Sequence, residues 1–420
     1  MRIFFKNIYH FLIACFGAVI CGFPSRRLFV LGVTGTKGKS SVVELIGAIL
    51  EEAGKKTALI SSVHVDIAGE DFKNPTSMTM PGRAYLQRFL RKAVGAGCEY
   101  AILEVTSQGV SQYRHRFIDF DAAMIINIHP EHIEAHGGFE AYRAAKIKFF
   151  QDMDKSRKSR KSFFINEMMA GKEFFEQAAA DKGDVSYFSR EDFINQELKN
   201  HYNLDSLEAK KMISGWLQSD FNLENAAAAV VFAKSQGIDE AVIFRALEKF
   251  KGVPGRMEYV RRAPFEVVVD YAHTPDSLRA VYRNLSDNHE KKLICVLGSA
   301  GGGRDKWKRP KMGEAAAEYC SQIILTNEDP YDESPQSIID EIEKGVRGYS
   351  GKDGGATTVF KILDRREAIK KAISLAREKE VVILTGKGSE GWIHFERGRK
   401  ISWNERGVAE EMLESAKHGT

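Results

Sequence analysis

Along this chain apolar residues gather in short runs, and the runs alternate with stretches whose apolar positions recur at helical spacing. The first run, Arg27–Val33, leads through a glycine-rich turn into a helical stretch, Lys39–Ala53. Strands are then predicted at Thr57–Ser62, Tyr100–Val105 and Ala122–Asn127, with a helix at Arg83–Ala96. Helices follow at Phe221–Gly237 and Glu240–Lys251, and a second series of buried strands at Phe265–Asp270, Leu293–Leu297, Ile323–Thr326 and Val381–Thr385. Runs that are apolar throughout need cover on both faces, and strands alternating with helices build parallel sheets. The turn Gly252-Val253-Pro254-Gly255 separates the two series. The predicted organisation is a short apolar segment (1–26), a central α/β domain (27–254) and a C-terminal α/β domain (255–420), in keeping with about 100–200 residues per domain.

Composition changes this picture little. The chain is 43% hydrophobic and 28% charged, enough for ordinary globular cores. Its net charge of +4 is too small an excess to predict a nucleic-acid partner, and it suits an anionic substrate. The basic run KSRKSRKS at 155–162 reads as a solvated loop. Cys15, Cys21, Cys98, Cys295 and Cys320 are scattered and form no CxxC pair, which predicts neither a zinc ribbon nor a disulfide framework and fits a reducing compartment. Residues 11–23 are apolar or small, with Arg2 and Lys6 before them and Arg26 and Arg27 after. The stretch is shorter than the ~20 residues of a membrane span. A helix packed on the protein's own core, peripheral membrane contact and a signal peptide are all open readings. The expected location is cytoplasmic, because a nucleotide loop follows at once, with membrane association left open.

That loop is the strongest chemical signal. Gly32–Ser41 reads GVTGTKGKSS between a strand and a helix. Glycines let backbone N–H groups approach phosphate oxygens, and the helix N-terminus adds a favourable dipole. Gly35, Thr36, Lys37, Gly38, Lys39, Ser40 and Ser41 are the predicted ATP-binding residues. Lys39 has the reach to meet the terminal phosphates and Ser40 the hydroxyl to bind Mg²⁺. Val33 stands where the strict GxxxxGK[ST] pattern has its first glycine. The predicted fold class is α/β: a P-loop central domain with a mostly parallel sheet, plus a Rossmann-like C-terminal α/β domain.

The variant loop GTKGKSS resembles that of the Mur ligase and folylpolyglutamate synthase superfamily, and the motifs after it resemble the MurE branch from about residue 27 to the C-terminus. EVTSQGV at 104–110 followed by Arg114, and NIHPEHIEAHG at 127–137, are similar to family segments; the resemblance implies Glu104 and His132 as ligands of a second Mg²⁺. Lys146 aligns with a lysine the family carbamylates, an anion that helps hold Mg²⁺. FNLEN at 221–225 resembles FNxxN and implies Asn222 and Asn225 at the adenine, with helix capping the plainer reading. GRME at 255–258 and DYAHTPD at 270–276 are the most MurE-like motifs; they imply Arg256 at the γ-phosphate, Asp270 at the ribose and His273 close to the nucleotide. GSAGGGRDKWKRP at 298–310 implies Arg304 on the incoming amino acid's carboxylate. GKGSE at 386–390 implies Glu390 facing the amine.

The resemblance implies an ATP-dependent amide ligase. Phosphoryl transfer to a muramyl-peptide carboxylate gives an acyl phosphate, and a free amino acid's amine displaces phosphate. Lys39, Lys146, Arg256 and His273 would be the catalytic set. The sequence departs from the branch in three places. Few residues precede the first strand where relatives carry a uridine-binding domain, so the acceptor is expected on Thr79, Ser107, Gln112 and Arg114, and is either UDP-linked or lipid-linked. The family's TTP is Thr79-Met80-Pro81, with Thr76 or Ser77 as replacement hydroxyls. The diaminopimelate signature DNPR is Glu328-Asp329-Pro330-Tyr331, which implies a basic amino acid such as lysine or ornithine. A folylpolyglutamate-type ligase and a non-catalytic ATP-binding scaffold are the rival readings.

Overall fold

The computed structural model describes residues 2–72, 78–131, 136–287, 292–303, 305–349 and 357–418, with side chains between residues 8 and 416 of these. The chain divides into two compact units, Met1–Lys251 and Gly252–Thr420. The first is built on an eight-stranded sheet of order β4-β3-β2-β5-β1-β6-β7-β8. Its strands are β1 (Phe29–Thr34), β2 (Thr57–Ile60), β3 (Val65–Ile67), β4 (Glu70–Phe72), β5 (Tyr100–Glu104), β6 (Ala122–Ile125), β7 (Ser162–Asn166) and β8 (Asp184–Phe188). Six of them run parallel, and β3 and β4 turn back antiparallel at one edge. Strand β1 sits centrally, with Val33 level with Glu104 on one side and Met124 on the other. The carboxyl ends of β1, β5 and β6 therefore finish together, the edge at which open α/β sheets bind ligands.

The second unit has a six-stranded sheet of order β13-β12-β11-β14-β10-β9. Its strands are β9 (Glu258–Arg261), β10 (Glu266–Val269), β11 (Leu293–Leu297), β12 (Cys320–Leu325), β13 (Thr358–Lys361) and β14 (Val381–Leu384). All are parallel except β9. A hairpin, β15 (Trp392–His394) and β16 (Lys400–Ser402), stands apart. Within the unit the buried Arg365 donates from Nε and Nη2 to both carboxylate oxygens of the buried Glu405, and also to the carbonyls of Asn327 (3.0 Å) and Thr385 (2.7 Å).

Periodicity located most central strands but not the edges. The strands β3, β4, β8, β9, β13, β15 and β16 are short or partly exposed, and their pattern does not rise above loop composition; the buried run Phe163-Phe164-Ile165 of β7 was missed as well. The apolar N-terminal stretch begins earlier than residue 11: helix α1 spans Arg2–Cys21 and belongs to the first unit. It packs on its own protein, with Ala14 and Ala18 buried and Gly17 so near helix α3 (Arg83–Gly95) that a Cβ there would lie 3.2 Å from the Ala84 Cα. Among the described residues no helix is long and apolar enough to cross a membrane.

Two expectations are corrected. Cys295 and Cys320 form a disulfide, with Cα atoms 6.0 Å apart. Their 25-residue separation hid this, because the parallel pairing of β11 with β12 makes them neighbours. Of the run 155–162 residues 156–161 are a loop, but it is not simply solvated. Lys158 reaches in to Asp121 (2.9 Å) and the Leu28 carbonyl, and the Arg157 N–H donates to Asp119.

Candidate active site

In the first unit the loop between β1 and helix α2 (Lys39–Glu52) is held by side chains from four other segments. The Asn127 amide oxygen accepts from the N–H groups of Thr36 (3.1 Å) and Lys37 (2.9 Å). The Thr36 hydroxyl meets Tyr142 at 2.9 Å and accepts from His129 N–H. Lys37 forms a 2.7 Å ion pair with Glu131. Gly38 opens the helix at φ 83°, and a side chain there would strike Asn225, since a Cβ would sit 2.3 Å from its Oδ1. Lys39 curls over the loop and donates to the carbonyls of Gly35 and Thr36, each at 3.0 Å.

Behind the loop lies a set of oxygen donors. Ser40 Oγ is 2.7 Å from Ser62 Oγ, and the Ser62 N–H donates to Glu104 Oε1 at 2.8 Å. Hydroxyl and carboxylate oxygens are the hard donors Mg²⁺ takes, so Ser40 and Glu104 fit such an ion. His132 lies outside the described residues, and among the described residues no cluster of three or more His, Cys, Asp or Glu is assembled. Lys146 is fully buried and donates to the Gly35 carbonyl at 2.8 Å, with Thr34 Oγ1 3.4 Å away. Burial holds its ammonium well below the ordinary lysine range; Lys39 adds to this and Glu131 opposes it.

Glu44, one turn into α2, is buried with its carboxyl pushed up to about 7, chiefly by desolvation, while His64 and the Ser61 hydroxyl pull it down. An acid whose folded pKa is raised costs stability as it ionises, so this contribution is favourable below the ordinary glutamate value of 4.5 and is lost as pH rises through about 7. In metal-free buffer, Glu44→Gln is therefore expected to flatten the fall in stability between pH 5 and 8. It should gain on the order of 1–3 kcal/mol at pH 8 by denaturant titration. Equal slopes for the two proteins would remove the assignment.

Asn222 and Asn225 lie in the first turns of helix α5 (Asp220–Ser235), inside the helix and not at its cap, which is Ser219. Asn222 donates to the Trp216 carbonyl (2.8 Å) and Asn225 donates to Asn222 (3.3 Å), so the pair buttresses Gly38. At the expected acceptor residues, Arg114 donates to Gln112 Oε1 (2.8 Å) and to the Met80 carbonyl, while Arg83 donates to the Gln112 carbonyl (2.7 Å). Ser107 opens the short helix α4 (Ser107–Ser111) and bonds His136 at 3.1 Å. Met80, in place of a hydroxyl residue, is buried against Gly109. Thr79 precedes it, and Thr76 and Ser77 lie outside the described residues.

The second unit gathers its motifs around one loop. Gly388 (φ 50°) touches the Gly255 carbonyl, the Tyr271 Cβ and the Arg256 guanidinium so closely that a Cβ would lie within 3.0 Å of each. Arg256 stacks 4.1 Å over the Tyr271 ring. Asp270 accepts from the backbone N–H groups of Met257 and Ala272, each at 2.7 Å, tying the two motifs together. The Tyr271 hydroxyl donates to Glu390 (2.9 Å), and the buried Lys387 bridges Glu390 (2.6 Å) and Asp329 (3.0 Å). Glu390 drives the Tyr271 hydroxyl well above its usual range, with burial adding to it. The His273 ring Nδ1 bonds the Tyr271 carbonyl at 2.7 Å. Glu328 is buried, desolvation raises its carboxyl, and its Oε2 has no hydrogen-bond partner among the described residues. Arg304 lies outside the described residues.

The sequence reading missed Ser62, Asn127, Glu131, Tyr142, His136 and Lys387. Asn127, Glu131 and His136 stand inside the NIHPEHIEAHG motif, whose spacing was the available signal. Lys387 stands inside GKGSE. Ser62 and Tyr142 carried no signal, since each reaches the site only through the tertiary fold.

A Mur ligase middle domain matches residues 33–233, and a Mur ligase glutamate ligase domain matches 255–388. The chain is 35% identical over 411 residues to the UDP-N-acetylmuramoyl-L-alanyl-D-glutamate–2,6-diaminopimelate ligase of Syntrophomonas wolfei, covering 96% of this chain and 81% of that one. It is 34% identical over 427 residues to the UDP-N-acetylmuramyl-tripeptide synthetase of Roseiflexus sp. (strain RS-1), covering 97% and 82%. A solved diaminopimelate ligase of the same description superposes with TM-score 0.57 at 26% identity, covering 94% of this chain and 79% of that one. The E. coli FolC structure with ADP superposes with TM-score 0.67, but at 17% identity that likeness is one of fold alone; it covers 96% and 93%. Loop, units and relatives together define an ATP-dependent amide ligase. The chain belongs to the Mur ligase family.

Proposed function

We propose that this ligase adds an amino acid to the terminal carboxylate of a UDP-linked muramyl-peptide acceptor, using ATP and Mg²⁺. The observation that carries the reading is the line Ser40–Ser62–Glu104 behind the phosphate loop, next to a lysine held at the loop's own carbonyl. Lys39 releases its two loop carbonyls to neutralise the transferring phosphoryl group, and the loop N–H groups orient it. Bound Mg²⁺ would supply further charge neutralisation, with Ser40 a donor to one ion and Glu104, with His132, to a second. The buried, readily neutral Lys146 amine suits carbamylation, which would turn it into an anion able to help hold Mg²⁺. An acceptor carboxylate oxygen bonds the γ-phosphorus as ADP leaves. The amine then bonds the acyl carbon, phosphate leaves, and the amine's extra proton goes to solvent or to Glu390.

Ser107, Gln112 and Arg114, with Arg83 alongside, offer the acceptor cations and hydroxyls; Thr79 lines the same turn. On the amino-acid side Asp329 is already matched by Lys387, so Glu328 is the carboxylate open to a distal ammonium. Tyr331 stands where a distal carboxylate would need an arginine. Lysine or ornithine is therefore the proposed amino acid, although relatives are named for 2,6-diaminopimelate. In an amino-acid panel read by phosphate release, lysine or ornithine should give the highest kcat/KM, and Glu328→Gln should lower it at least about tenfold. A clear preference for diaminopimelate would overturn the amino-acid assignment and leave the ligase chemistry standing. Parallel titrations with UDP-linked and lipid-linked muropeptides test the acceptor; turnover with the lipid-linked form alone would contradict the UDP-linked reading.

A further inference from the structure

Helix α1 is built the wrong way round for an element that serves only the fold. Its buried face carries Ala14, Gly17 and Ala18, packed on α3. Its outward face carries the large side chains: Leu12, Phe16, Val19 and Ile20 are 57–68% exposed, and Tyr9 is 60% exposed. At 100° per residue Ile8, Leu12, Phe16 and Val19 share one stripe, so the exposure is a continuous apolar face about three turns long. Small residues against a neighbouring helix with large ones outward is the pattern of helices whose outer surroundings are lipid.

Charge selects the occupant. Neither α1, nor Gly22–Arg27, nor α3 contains a single Asp or Glu. Exposed cations flank the stripe: Arg27 follows α1, next to an Arg26 that pairs with Asp119 at 3.1 Å, and Arg88, Arg91 and Lys92 project from α3. Arg91 also donates to the Ile20 carbonyl at 3.2 Å, which fixes it beside the end of the stripe. A cavity of about 210 Å³ lined by Phe23 also holds Arg116, Lys155 and Arg157, but Lys155 and Arg116 are paired there with Asp152, so the cations that matter are those on α3 and at Arg27. A second copy of this chain would set cations against cations. A bilayer leaflet bearing anionic phospholipid would satisfy both features.

We infer that α1 lies in the plane of an anionic membrane surface, its apolar stripe among the acyl chains and its flanking arginines on lipid phosphates. The helix does not span the bilayer; it docks the enzyme. The inference is independent of which substrates the ligase joins.

Flotation of the full chain with phosphatidylglycerol–phosphatidylcholine vesicles, against pure phosphatidylcholine, tests it. The protein should float with the anionic vesicles at low salt, and at least about fivefold less with neutral vesicles or at 0.5 M salt. The double variant Leu12→Ser/Phe16→Ser, altered only on the outward face, should lose at least about tenfold in bound fraction while far-ultraviolet circular dichroism and ATP-dependent turnover stay unchanged. Absence of flotation, equal flotation of wild type and variant, or a dimer that the double variant dissolves without any vesicle binding would each overturn the inference.

Discussion

Lys39→Ala is expected to lower acceptor-dependent phosphate release on the order of 10³-fold, the scale set by removing one preorganised charge from a site of developing negative charge. The ammonium already lies over the loop, between the Gly35 and Thr36 carbonyls. The loop keeps other ties, since Asn127 accepts from its N–H groups and Tyr142 meets Thr36. Circular dichroism and melting should therefore change little while turnover collapses. The variant also removes the charge that helps depress Lys146, so the Lys146 amine should titrate higher. Lys37→Ala makes the contrast, since that ammonium is held by Glu131, and its loss should be much smaller. Near-normal kcat and KM in Lys39→Ala would show that the loop is not the phosphate site.

The largest stability effect is expected from Glu405→Ala. Arg365 and Glu405 are buried, and removing the carboxylate leaves the guanidinium with two carbonyl partners among the described residues and no directly bonded carboxylate. Breaking a buried pair in this way costs about 3–5 kcal/mol. For a unit of this size that lowers the melting transition by roughly 6–20 °C, readable by calorimetry. The Trp403 indole N–H loses its partner as well. A double replacement with apolar residues, Arg365→Met/Glu405→Leu, should recover most of the loss, because no buried charge is then left unpaired. Arg365 also anchors the Asn327 carbonyl next to Glu328, so Glu405→Ala should raise the KM for the amino acid more than the KM for ATP.

How much of this was legible in the sequence depended on range. In each unit the central strands, β1, β5 and β6 in the first and β10, β11 and β14 in the second, are apolar along most of their length, and their runs identify them. The phosphate loop was legible because its chemistry is local: glycines, Lys39 and Ser40 act within one turn. Long-range placement was not. Ser62 and Tyr142 join the loop from 22 and 106 residues away, and nothing in their neighbours marks them. The capping alternative for Asn222 and Asn225 fails because the cap is Ser219, and the bonds that tie both amides together beside Gly38 carry no mark in the sequence. Glu328 and Asp329 were read as an equivalent pair, and Lys387 makes them unlike. The direction in which α1 faces could not be read from its composition, because both of its faces are apolar.

The central claim is amide-bond formation driven by ATP. The direct test incubates the full chain with ATP, Mg²⁺, a UDP-linked muramyl dipeptide and one amino acid at a time, and follows product mass together with ADP. The account predicts a product heavier than the acceptor by the amino acid less one water, formed with one ADP per bond and only when all components are present. ATP hydrolysis with no such product for any amino acid, on a UDP-linked or lipid-linked acceptor, would contradict it.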